Sequence, residues 1–130
     1  MAPQMDFISV VVADMARSLD FYRRLGLEIP AEADTLSHVE VPLPGGIRLA
    51  WDTVDSIREF GWTPPTGSAR MSMAFRCADP AEVDRYFTEL TAAGFHGALP
   101  PWDATWGQRY AVLHDPDGNG VDLYAPLPAG

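Results

Sequence analysis

Apolar residues alternate with polar ones in two stretches that resemble each other. In "DFISVVVAD" Ile8, Val10 and Val12 share one face, and in "RMSMAFRCAD" Met71, Met73, Phe75 and Cys77 do the same. A period of two predicts strands. Each stretch ends in Ala-Asp, and each Asp opens a helical pattern, "DMARSLDFYRRLG" from Asp14 and "DPAEVDRYFTELTAAG" from Asp79. Asp is a favoured N-cap. In the second helix Pro80 suits the first helical position and Glu82 the capping box, and Gly26 and Gly94 are placed to end the two helices. Beyond the helices, "SHVEVPLPGGIRLAWD" brackets a Pro-Gly-Gly turn with Val39, Val41, Ile47, Leu49 and Trp51. "QRYAVLHDPDGNGVDLYA" brackets Asp-Pro-Asp-Gly with Ala111, Leu113, Val121 and Leu123. Both predict hairpins. With a further strand expected near 27–31 and near 95–99, the chain reads as two βαβββ modules, at about 5–52 and 69–125, joined by a connector at 53–68. Together they make one domain over residues 1–130. The predicted class is α+β, a curved mixed sheet with helices on its outer face and a concave cleft on the other.

The alternation also identifies which side chains face away from the helices. They are Phe7, Ser9, Leu36, His38, Glu40, Arg48, Ala50 and Asp52 in the first module, and Ser72, Ala74, Tyr110, Val112, His114, Asp122 and Tyr124 in the second. A solvated face would be richer in Thr, Lys and Glu, and a second core would lack the charges. This mixture suits a ligand cleft. In "PPWDATWGQRY", Trp102 and Trp106 are four apart, but Pro100 and Pro101 before them and Gly107 behind exclude a helix. The segment is expected to cross the cleft rim between strands, with Trp106 stacking on a planar ligand opposite His38 and Trp102 nearby.

Composition narrows the partners. A formal net charge of −9 over 130 residues, with no basic run longer than Arg23-Arg24, argues against nucleic acid. The single cysteine, Cys77, excludes an intramolecular disulfide and a cysteine zinc site, and its place on a core face suggests an inert thiol. The opening residues lack a basic flank and carry too short an apolar run for a signal or a membrane span, so a cytoplasmic protein without membrane partners is expected. Tyr22 and Tyr86 read as packing residues. Trp62, in the connector, reads as a surface aromatic or a lid. Ser72, His114 and Asp122 could form a nucleophilic set, but no G-x-S-x-G elbow accompanies them.

The paired modules, "VVVADMARSLDFYRRLGLEI" and the terminal "DPDGNGVDLYAP" resemble the vicinal oxygen chelate superfamily, which includes glyoxalase I, extradiol dioxygenases and the fosfomycin and bleomycin resistance proteins. The resemblance covers nearly the whole chain. Within it, "EIPAEAD", "GGIRLAWDTV" and "PWDATWGQRYAVLHDPDGNGVDLYAPLP" are similar to the mitomycin-binding resistance proteins of antibiotic-producing actinomycetes. The resemblance implies a homodimer whose clefts take residues from both chains. In metal-dependent members it implies ligands at four strand positions, here Phe7, Arg48, Ser72 and Asp122. Only Asp122 is a good donor for a divalent ion, so no metal and no cofactor is expected. A displaced site from His38, Glu40, His114 and Asp122 is the alternative, and would belong to a glyoxalase- or dioxygenase-type enzyme. Arg48 and Asp122 are expected to pair across the cleft floor. The function expected is non-catalytic sequestration of a small planar aromatic compound, a mitomycin-like antibiotic, by Trp106, His38, Trp102, Phe7, Arg48, Tyr110, Asp122 and Ser72. A binder of an endogenous metabolite is the third reading.

Overall fold

The computed structural model describes residue 2, residues 4–59, residue 61 and residues 71–129. Trp62 lies outside the described residues. The chain forms two compact units, Met1–Thr66 and Gly67–Gly130. The class is α+β, as the alternation predicted, with one mixed sheet in each unit.

The first unit contains β1 (Phe7–Val12), α1 (Met15–Arg24), a 3-10 helix (Ala31–Thr35), β2 (His38–Pro42), β3 (Arg48–Thr53) and α2 (Val54–Glu59). Its sheet order is β1-β3-β2, with β1 parallel and β2 antiparallel to β3. Asp14 caps α1 by accepting from the Arg17 amide at 3.1 Å. Gly45 and Gly46 both adopt positive φ in the β2–β3 turn, where a Cβ would be strained. The core face carries Val10, Val12, Val39, Val41, Leu49 and Trp51. Against it α1 buries Leu19, Phe21 and Tyr22, with the Tyr22 and Trp51 rings 5.2 Å apart. The central strand β3 is buried on both faces, since Ala50 and Asp52 are also covered.

The strand expected near 27–31 does not form. Arg23 takes the backbone carbonyls a ladder would need: its Nε donates to Ile29 O at 2.8 Å and its Nη2 to Pro30 O at 2.6 Å. Nη1 holds Asp34 at 2.8 Å, inside the 3-10 helix that follows. Pro30 has no N–H to donate to a sheet in any case.

The second unit keeps the expected order: β4 (Ser72–Arg76), α3 (Pro80–Ala92), β5 (His96–Ala104), β6 (Gln108–His114) and β7 (Gly120–Pro126). The sheet runs β4-β7-β6-β5, with β4 parallel to β7 and the other pairs antiparallel. Asp79 caps α3 by accepting from the Glu82 amide at 2.9 Å, and Glu82 reaches back past the cap to accept from the Ala78 amide at 3.1 Å, a variant of the expected capping box. Buried Asp115 builds the β6–β7 turn, accepting from the amides of Asp117 and Asn119 at 3.0 and 2.8 Å. Met71, expected on the core face, precedes β4 and is exposed.

β5 is longer than expected. Pro100, Pro101 and Trp102 belong to it rather than to a rim loop, and only the residues around Trp106 turn before β6. The prolines fit because the register with β6 shifts between Gly97 and Leu99 and again between Leu99 and Trp102. Such bulges on an edge strand need no amide donor at a proline. Among the described residues no helix is long and apolar enough to cross a membrane.

Candidate functional site

Strand parity places Phe7, Ser9, His38, Glu40, Arg48 and Asp52 on the face of the first sheet opposite α1, with Phe7 beside Arg48 and His38 beside Asp52 in the ladder. There they form a continuous polar row. Nearly buried Asp52 accepts from the Ser9 hydroxyl on one oxygen, and its other oxygen lies 2.5 Å from His38 Nδ1. His38 Nε2 is 3.0 Å from Glu40, Arg48 joins Glu40 to Asp6, and the Arg48 guanidinium lies 5.1 Å from the centre of the Phe7 ring. Signs alternate along the row: Asp52, His38, Glu40, Arg48, Asp6.

The row favours the charged form of its imidazole. Hydrogen bonding to Asp52, then to Glu40, raises the His38 pKa above its ordinary value. The same contact with His38, and then Arg48, lowers that of Glu40. With both ring nitrogens against carboxylates, the arrangement favours the imidazolium, which donates from each.

A cavity of about 930 Å³ opens over this face, lined by Phe7, Ser9 and Val11 of β1, by His38 and Asp52, and by Ile57 of α2. Thr53 positions α2 by accepting from the Ser56 amide at 3.2 Å. The volume suits a drug-sized molecule, with apolar walls and a few polar groups in the floor. Nucleophilic chemistry is poorly served: Asp52 stands between Ser9 and His38, so the serine proton faces a weakly basic carboxylate instead of an imidazole.

In the second unit the corresponding face is aromatic. Tyr110 and Tyr124 are paired in the ladder and their rings are 6.4 Å apart at 26°. Trp102 and Trp106 meet Tyr110 edge to face at 5.5 and 5.4 Å, and each other at 6.1 Å. Trp106 is 59% exposed, with Nε1 donating to Gln108 at 2.9 Å. The Tyr110 hydroxyl donates to Asp122, and burial, reinforced by that bond, pushes its pKa up to about 12. Ser72 lies on edge strand β4, exposed and opposite Gly120.

The sequence matches the model of the Glyoxalase/Bleomycin resistance protein/Dioxygenase superfamily over residues 4–123. The chain belongs to this superfamily. No curated protein is significantly similar to it in sequence. Among solved structures, this superfamily member is similar to a protein of unknown function from Agrobacterium tumefaciens str. C58, with 29% identity over 98% of this chain and 97% of that one and a TM-score of 0.72. A glyoxalase/bleomycin resistance protein/dioxygenase from Nocardioides shares 26% identity over 100% and 87%, with a TM-score of 0.71. A family enzyme from Burkholderia phytofirmans PsJN, 16% identical over 94% and 98% with a TM-score of 0.78, shows the same fold.

Membership makes the metal question concrete. The superfamily resemblance assigns the ligands of metal-dependent members to four strand positions, held here by Phe7 and Arg48 in cation–π contact, an exposed Ser72, and Asp122 engaged by Tyr110. A guanidinium held by two carboxylates repels a cation and offers no lone pair, so these residues do not fit a divalent ion. Among the described residues no group of three or more His, Cys, Asp or Glu side chains is arranged to hold one. Arg48 and Asp122, expected to pair with each other, each take partners within their own unit. Asp52, placed on the cleft face by the alternation but not named among the binding residues, is the hub of the first-unit row, and α2, which walls the cavity, was not anticipated as part of a site. The signal for Asp52 was present in its parity with Arg48 on β3.

Proposed function

We propose that this chain binds a small, planar, partly polar compound without transforming it, and that it protects a cell by holding an aromatic antibiotic of the mitomycin type away from its targets. The observation that carries the reading is the Arg48 guanidinium, seated over Phe7 and tied to Glu40 and Asp6, where a catalytic member would carry metal ligands. Beside it lies a drug-sized cavity with Ser9, His38 and Asp52 in its floor. With His38 protonated the row nets one negative charge, from three carboxylates and two cations, and more when it is neutral, which suits a neutral or cationic guest. In the second unit the exposed indole of Trp106, flanked by Trp102 and Tyr110, supplies an aromatic surface for stacking. Sequestration works by mass action: protein must exceed drug, with a dissociation constant below the toxic concentration. The superfamily resemblance adds a homodimer to the proposal.

The test is a tryptophan-fluorescence titration with mitomycin C, with and without EDTA. Saturable quenching at micromolar or lower ligand, indifferent to EDTA, is the expected result. Absence of quenching overturns the mitomycin assignment, and quenching abolished by EDTA overturns the metal-free reading.

A further inference from the structure

Outside the site just described, β5 and β6 bring two imidazoles together. His96 and His114 are cross-strand partners in the β5–β6 ladder. Their Nδ1 atoms are 3.0 Å apart, and their ring centres are 4.9 Å apart with the planes inclined by 29°. In the free protein one Nδ1–H donates to the other Nδ1.

The two spacings agree with one coordination geometry. Imidazole nitrogens at about 2.1 Å from a metal, on adjacent positions at a right angle, lie about 3.0 Å apart with ring centres about 4.6 Å apart; tetrahedral positions would spread them to about 3.4 and 5.3 Å. The nitrogen separation matches the right angle and the ring centres fall between the two. Right-angled nitrogen donors are the preference of square-planar or tetragonal copper(II) and nickel(II), and copper(II) binds more tightly in the divalent series.

The backbone holds the pair in place. The residue after His96 is Gly97, where a Cβ would stand 2.5 Å from Phe87 Cζ and 2.9 Å from Thr91 Cγ2 of α3. β5 is thus pressed onto the helix at that point, and strand alternation sends His96 to the opposite face, beside His114. His96 is exposed and His114 half-buried, so water can fill the remaining coordination positions.

We infer that His96 and His114 form a bidentate site for a late transition-metal dication, copper(II) first. Binding needs only that the ring donating from Nδ1 move its proton to Nε2, leaving both Nδ1 lone pairs free. The site is independent of the drug-binding reading.

The experiment is titration of the full chain with copper(II) against a competing chelator, with electron paramagnetic resonance and pulsed detection of imidazole nitrogen on the same samples. The expected result is one copper per chain with two equatorial imidazoles, and at least a tenfold loss of affinity in each of His96→Asn and His114→Asn. Equal binding by wild type and the His96→Asn/His114→Asn double variant overturns the inference. The wild-type spectrum decides independently of how the variants fold: a copper signal with fewer than two imidazole nitrogens also overturns it.

Discussion

Replacing Asp52 by Asn tests whether the row on the first sheet is held by charge. The amide is nearly isosteric, and its carbonyl can accept from His38 or from Ser9, but not from both as the carboxylate does. The Ser9 hydroxyl can turn and accept from the new NH2, so the main loss is the charge-assisted bond to His38. A dry pair broken on one side costs about 3 kcal/mol or more. Here 48% of the His38 side chain is exposed, water replaces part of what is lost, and Glu40 still holds Nε2, so about 1 kcal/mol is expected. The loss depends on pH. Because the folded pKa of His38 is raised, the stabilisation it brings is fully present below the unfolded value of 6.5 and disappears as pH rises through the folded value. The variant should therefore be less stable than wild type by about 1 kcal/mol at pH 6, and the gap should narrow toward pH 9 as the ring loses its proton. Urea unfolding at both pH values measures this, with a midpoint shift of roughly 0.5–1 M at pH 6. Equal destabilisation at pH 6 and pH 9, or none at pH 6, would refute the role given to His38.

Three further outcomes are expected. Trp106→Ala should lower affinity for a stacked quinone at least tenfold while moving the melting temperature by less than about 2 °C, because the side chain is 59% exposed; fluorescence titration and calorimetry read the two effects separately, and unchanged affinity removes Trp106 from the binding surface. Gly97→Ala should destabilise by about 1–3 kcal/mol through overpacking against Phe87 and Thr91, and Phe87→Leu in the same chain should recover part of the loss in thermal melts. Burial, with the Glu82 charge adding to it, pushes the Cys77 thiol up to about 11, so a disulfide reagent at pH 8 should modify it slowly in the native protein and fast in urea; equal rates would place the thiol outside the core.

The two longer helices, α1 and α3, were legible because both carry local punctuation, Asp14 with Gly26 and Asp79-Pro80 with Gly94, that acts within a few residues. The sheet faces were legible because parity survives whatever the neighbours are: Phe7, His38 and Arg48 lie together in the first unit, and Tyr110, Asp122 and Tyr124 in the second. Readings that depended on which distant group wins a backbone or charged partner failed. Nothing local to 27–31 says that Arg23 will claim the carbonyls of Ile29 and Pro30. Likewise the partners of Arg48, Asp6 and Glu40, are set by where β1 and β2 flank β3. Pro100 and Pro101 were read as the end of a strand, although at an edge with two register shifts they sit inside one. His96 went unnoticed because its significance lies in His114, 18 residues away.

The prolines of β5 also bear on what the protein does in a crowded solution. A nine-residue edge strand carrying Leu99 and Trp102 is the kind of exposed ribbon onto which another chain can add by main-chain hydrogen bonding. Pro100 and Pro101 remove two successive donors from its middle, and the bulges put the remaining groups out of step with any straight incoming strand. The second unit thereby keeps one flank of its sheet closed to strand addition, and its exposed indole can remain on the surface without recruiting a neighbour along the sheet edge.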